Sequence, residues 1–231
     1  MCAIFGAANY DVFNELYAKN LDRGDFAFGG IFYYHHTPNT IERPRTSRLP
    51  LLLKQSGIYR STPADHSQYD YYLGHSQAPT SAAQTFSAYT AHPFVHNTWA
   101  VAHNGVLTNH LKLKKQTKSP TNIVDSSVIP ALLSDIENEG ENLTGEAIVA
   151  RMCEMLEGTY TLWIHNTAYG ISYITRCGST LFADFSNNTF SSTKVSDAME
   201  EIQDGTILKI DNTGKLTVAA TFKPNSPFFI L

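Results

Sequence analysis

Cys2 carries a thiol, and a thiolate is a strong nucleophile. A free cysteine with a pKa near ~8.5 is only slightly ionised at neutral pH, so a nucleophilic Cys2 needs a base. Removal of Met1, which a small second residue favours, exposes one on the same residue: an α-amine with a reference pKa of about 7.7–8.0. Taken alone, a cysteine at this position reads first as a small buried hydrophobe. What gives it chemical meaning is the order of segments that accompany it: Met1-Cys2-Ala3-Ile4-Phe5-Gly6, Arg23-Gly24 with Gly29 behind it, Gly74-His75-Ser76-Gln77-Ala78-Pro79-Thr80, Ala102-His103-Asn104-Gly105-Val106-Leu107-Thr108-Asn109, and Asp125-Ser126-Ser127-Val128-Ile129.

This series resembles the glutaminase domain of the class II glutamine amidotransferases. That N-terminal-nucleophile family includes phosphoribosyl-pyrophosphate amidotransferase, glucosamine-phosphate synthase and asparagine synthetase; the amidophosphoribosyltransferase branch is nearest, through Ala102 to Asn109. The likeness continues in Glu157-Gly158-Thr159-Tyr160, Ser191-Ser192 and Asp204-Gly205-Thr206-Ile207-Leu208, and so covers nearly the whole chain. It implies an α/β fold, a four-layer αββα sandwich with antiparallel sheets, and hydrolysis of glutamine to glutamate and ammonia through a thioester on Cys2. It further implies that the Asn104 side-chain amide and the Gly105 backbone N–H hold the oxyanion. Asp125 then binds the substrate α-ammonium, Thr80 lines the glutamine pocket, and Arg23 orders the amino-terminal region beside the substrate. Without the resemblance, Asn104-Gly105 reads as a hairpin turn, Asp125 as a helix N-cap, Arg23 as a surface cation and Thr80 as a strand-end residue.

Gln77-Ala78 departs from the family pattern, which has an arginine followed by an aromatic residue there, the arginine gripping the substrate α-carboxylate. Glutamine donates a hydrogen bond but brings no charge. Without compensation the isolated chain is expected to bind glutamine weakly; the sources of a compensating cation are a neighbouring loop, for instance Arg43, Arg45, Arg48 or Arg60, or a partner protein. No synthase half follows the glutaminase-like region, so the ammonia acceptor is expected to be a separate polypeptide, and the tail Asn225 to Leu231 is either a docking element or a strand packed on its own core. Three functions follow: a glutaminase that feeds a synthase, a freestanding hydrolase of γ-glutamyl or other amides, and a non-catalytic interaction domain. Gln77 favours the last two, whereas Cys2, Asn104, Gly105 and Asp125 argue against the third.

These residues need a scaffold, and the 231-residue chain, 42% hydrophobic, has enough apolar material for one sizeable domain spanning 1–231. Its net charge of -4 and its single short basic run, Lys112 to Lys115, argue against nucleic acid as a partner. There is no apolar run of membrane-spanning length and no secretory pattern, so the expected location is the cytoplasm. Three widely spaced cysteines make neither a disulfide framework nor a metal knuckle, and no metal or cofactor is expected.

The pattern predicts strands at Ala3 to Phe5, Phe26 to Tyr34, Asp70 to His75 and Thr98 to His103, with helices at Asp11 to Asn20 and from Asp125 to about Glu137. Ile148, Met152, Met155 and Leu156 form an apolar helical stripe closed by Gly158. Strands follow at Thr159 to His165, Ile171 to Arg176, Thr180 to Phe185, Thr206 to Ile210 and Lys215 to Ala220, with a short helix at Val195 to Ile202. The tract from Thr37 to Arg48 reads as a loop.

Overall fold

The computed structural model describes residues 1–34, 41–42, 45–46, 69–79, 87–119, 121, 124–139 and 142–225. The expectations placed on Thr80, Arg43, Arg48, Arg60 and the tail 226–231 lie outside these residues, and for Arg45 the backbone alone is described.

The first helix forms where the sequence sets Phe13, Leu16 and Tyr17 at helical spacing. Asn9 caps it, its Oδ1 accepting from the N–H groups of Asp11 and Val12 at 2.9 and 3.1 Å. The apolar side of the helix settles on aromatic rings, with Phe13 at 5.3 Å from Phe5 and Tyr17 at 5.5 Å from Phe28. Each side chain buried this way contributes roughly 1.5–3 kcal/mol.

Among the described residues the chain forms fourteen strands and four α-helices. They run β1 (Ala3–Ala7), α1 (Tyr10–Asn20), β2 (Ala27–Tyr33), β3 (Ile41–Glu42), β4 (Arg45–Thr46), β5 (Tyr71–Gln77), β6 (Phe94–His96), β7 (Trp99–Leu107), α2 (His110–Gln116), α3 (Val128–Glu137), α4 (Gly145–Met155), β8 (Gly158–Asn166), β9 (Ile171–Cys177), β10 (Phe182–Asp184), β11 (Thr189–Ser191), β12 (Glu200–Glu201), β13 (Thr206–Ile210) and β14 (Leu216–Thr221). One antiparallel sheet has the order β12-β10-β11-β1-β5-β2-β3, with β4 also on β2; the other runs β14-β13-β9-β8-β7-β6. No helix among the described residues is long and apolar enough to cross a membrane.

Strand alternation builds the layers, because successive side chains point to opposite faces. Ile4, Ile31, Tyr71 and Leu73 of the first sheet meet Ala100, Ala102, Trp163 and Leu208 of the second in the central core. On the outer face of the second sheet, Val101, Leu162 and Ile164 are covered by Ile129 and Leu133 of α3 and by Val149 and Met152 of α4. α1 covers the outer face of the first sheet. The result is the expected αββα sandwich.

Several local expectations are corrected. Val195 to Ile202 is not a helix, because strand pairing takes up backbone groups that a helix would satisfy within itself. The segment instead joins a sheet, with Glu200 and Glu201 pairing to β10 and Ile202 N–H donating to Leu181 O at 3.0 Å. The Thr37 to Arg48 tract contains β3 and β4, which satisfy the exposed backbone edge of β2. Gly158 does not close α4, since Leu156 is already extended at ψ 138 and Gly158 opens β8. Asn104-Gly105 is not a turn either, because β7 continues through it to Leu107 and stays paired with β8.

Candidate functional site

Cys2 immediately precedes β1, whose Ala3 pairs with Ser76 of β5 and whose Ile4 N–H donates to Ser192 Oγ at 3.0 Å. These anchors hold the start of the chain at one end of the sandwich. The Cys2 side chain is half-buried, and burial raises its thiol pKa against the opposing pull of the Ala78 backbone N–H, the chain's amino-terminal charge and Arg23. Asp125 adds to the rise. With Met1 attached, the thiol therefore stays protonated at neutral pH, and ionisation requires a nearby base.

Arg23 reaches the same point from the turn that ends α1. Its Nε donates to Cys2 O at 3.1 Å and its Nη1 to Ser192 O at 3.5 Å. The following glycine permits this approach, since a Cβ on Gly24 would lie 2.4 Å from Ala78 N. Arg23 is thus half-buried and bonded to backbone carbonyls on either side of the chain's start, not a free surface cation.

From the other sheet, β7 supplies Asn104. Ala100 and Ala102 face the central core, and the two-residue period sends Asn104 to the same side. Asn104 is buried, and its Nδ2 donates to Ser192 Oγ at 3.5 Å, which ties it to the β1 side of the sandwich. Gly105 follows at φ +149, with Thr159 O so close that an added Cβ would lie 2.0 Å from it. Alanine at 105 meets both a disfavoured backbone geometry, costing about 1–3 kcal/mol, and a backbone clash. Gly105→Ala is accordingly expected to lower unfolding free energy by about 2 kcal/mol or more in chemical denaturation; an unchanged denaturation midpoint contradicts that account.

One cavity of about 430 Å³ brings together Cys2, Arg23, Ala78, Asn104 and Gly105. Thr159 and the 178–180 turn form further wall, and Met1, 82% exposed, stands at the same cavity. The turn and Ser192 had no role assigned from sequence. The only hint was that Ser191-Ser192 belongs to the series of segments that carries the resemblance.

Gln77 and Asp125 do not line this cavity among the described residues. Gln77 is 8% exposed and sits within β5 opposite Ala27. Asp125 starts a short turn before α3, but its side chain does not cap that helix. Its Oδ2 accepts from Leu107 N–H at 3.1 Å, and its Oδ1 from the N–H and hydroxyl of Ser126 at 2.8 and 3.1 Å. The buried His103 lies 4.0 Å from Asp125 Oδ2, yet desolvation outweighs the carboxylate and lowers the imidazole pKa, so this is a contact with neutral histidine. Among the described residues no group of three or more His, Cys, Asp or Glu side chains is arranged to hold a metal ion.

No protein-family profile matches the sequence, and no curated protein matches it. Solved structures do match in fold. Glutamine phosphoribosylpyrophosphate amidotransferase from B. subtilis, complexed with ADP and GMP, aligns at TM-score 0.72 and 18% identity over 97% of this chain and 50% of its own. A structure described as the allosteric regulatory enzyme of purine biosynthesis aligns at TM-score 0.72 and 17% identity over 98% of this chain and 50% of its own. A glutamine aminotransferase class-II domain protein from Silicibacter pomeroyi aligns at TM-score 0.53 and 14% identity over 96% of this chain and 99% of its own. The chain spans half the length of the first two, and it shares the sandwich fold of all three.

Proposed function

We propose that this chain hydrolyses the side-chain amide of glutamine, with Cys2 as nucleophile. The observation that carries the reading is the meeting, in one cavity, of the Cys2 thiol with Asn104 and Gly105. The fold shared with the glutamine phosphoribosylpyrophosphate amidotransferase structure supports the same reading.

Loss of Met1 has two effects: it frees the Cys2 amine from a peptide bond, and it removes a side chain from the cavity wall. The free amine takes the thiol proton, through a water, and the thiolate attacks the carboxamide carbon. The C=O bond opens to an oxyanion held by the Asn104 amide and the Gly105 N–H. The C–N bond then breaks, ammonia leaves with the proton returned by the ammonium, and a thioester remains. Water adds to the thioester carbon, the amine takes a proton from it, and collapse expels the thiolate to give glutamate.

Protein confirmed Met1-free by intact mass is incubated with glutamine, and glutamate and ammonia are measured. Equal release of both is expected, and a chain retaining Met1 is expected to be inactive. Full activity with Met1 attached excludes the N-terminal amine as base. Cleavage of γ-glutamyl amides but not glutamine transfers the assignment to a freestanding amide hydrolase, the reading that neutral Gln77 favours. No cleavage of either sinks the hydrolase reading.

A further inference from the structure

The Arg23 guanidinium is the one side-chain cation in the wall of the Cys2 cavity among the described residues. It is half-buried, and its pKa is lowered by that burial. None of the ion pairs among the described residues involves it. Its two hydrogen bonds go to neutral acceptors, the carbonyl oxygens of Cys2 and Ser192. A guanidinium has five N–H donors in a planar fork, so an edge of Arg23 remains for another partner. Burying a cation without a counter-charge is costly, and an anion that enters the cavity relieves that cost.

We infer that Arg23 anchors the carboxylate of the substrate, a role that Gln77, neutral and outside the cavity lining, does not fill. The inference rests on the glutamine reading above and identifies the preferred substrate as an amide that also carries a carboxylate. The cavity volume of about 430 Å³ suits a small molecule held at both ends, with its amide at Cys2 and its carboxylate at Arg23. A competing role is that Arg23 is only the counter-ion of the Cys2 thiolate. The two roles differ in outcome: a carboxylate anchor acts on binding and on one end of the substrate, whereas a thiolate counter-ion acts on the chemical step for every amide.

The test is calorimetric titration of Met1-free Cys2→Ala protein with glutamine and with 4-aminobutanamide, which is glutamine lacking the carboxylate. It is repeated with Arg23→Gln and Arg23→Lys, whose thermal midpoints confirm folding. Arg23→Gln is expected to weaken glutamine at least tenfold and leave 4-aminobutanamide unchanged, with Arg23→Lys intermediate because a point charge replaces the fork. Equal weakening of both ligands, no weakening of glutamine, or no glutamine binding with Arg23 present each overturns the anchor. Cys2-intact protein supplies the separate readout: Arg23-dependent glutamine binding without ammonia release retains the anchor and sinks the hydrolysis reading. Hydrolysis with Arg23-independent binding does the reverse. A fall confined to kcat, equal for both amides, assigns Arg23 to the thiolate instead.

Discussion

Cys2→Ala is expected to reduce ammonia release from glutamine to background, a loss on the order of 10⁴-fold or more, because no other thiol lines the cavity among the described residues. The fold should survive. The substitution removes one half-buried sulfur and leaves intact the Cys2 carbonyl that receives the Arg23 bond. A matching thermal midpoint beside lost turnover is therefore the diagnostic pair. The other two cysteines supply the control. Cys153 and Cys177 are fully buried, and burial raises the Cys153 thiol to about 12, so neither competes as a nucleophile. Their alanine variants are expected to lose stability and keep turnover per folded molecule. Ammonia release at the wild-type rate from Cys2→Ala moves the chemistry to another residue.

Asn104→Ala is the second large effect, a fall in kcat of about 10²–10³-fold, or about 2.7–4 kcal/mol of barrier, with a smaller change in KM. An oxyanion donor matters most once negative charge has developed, so the loss belongs to the chemical step. Steady-state kinetics on the folded variant separate the two constants. The structural cost should be small, because Ser192 Oγ keeps the Ile4 N–H at 3.0 Å after the 3.5 Å contact with Asn104 is gone. A change confined to KM means instead that Asn104 holds only the ground state.

Local order was written plainly in the sequence. The helical spacing of Phe13, Leu16 and Tyr17 and the apolar stripe of α4 each carry a period that only one kind of element can bury. The same holds for the hairpin from Thr159 to Arg176, which appears as β8 and β9. Cys2, Asn104 and Gly105 were singled out by the order of segments they belong to and not by residue type alone, and the structure lines one cavity with all three. Val195 to Ile202 was misread because so short a segment takes its conformation from the strand beside it, here β10.

Tertiary structure decided what lies across each buried face. Ile4 and Ser192 are 188 positions apart and Arg23 and Ser192 are 169 apart, yet Ser192 gathers β1, Arg23 and Asn104 at one place. Sequence placed Arg23 beside the amino terminus through its motif alone; the structure showed a cation in the cavity wall bonded to neutral carbonyls and to no carboxylate among the described residues. It also showed Gln77 and Asp125 outside the described cavity lining, and the 178–180 turn within it. The division has a physical cause: periodicity along the chain records whether a side chain is buried, whereas charge balance, cavity shape and donor direction depend on partners that chain order does not reveal.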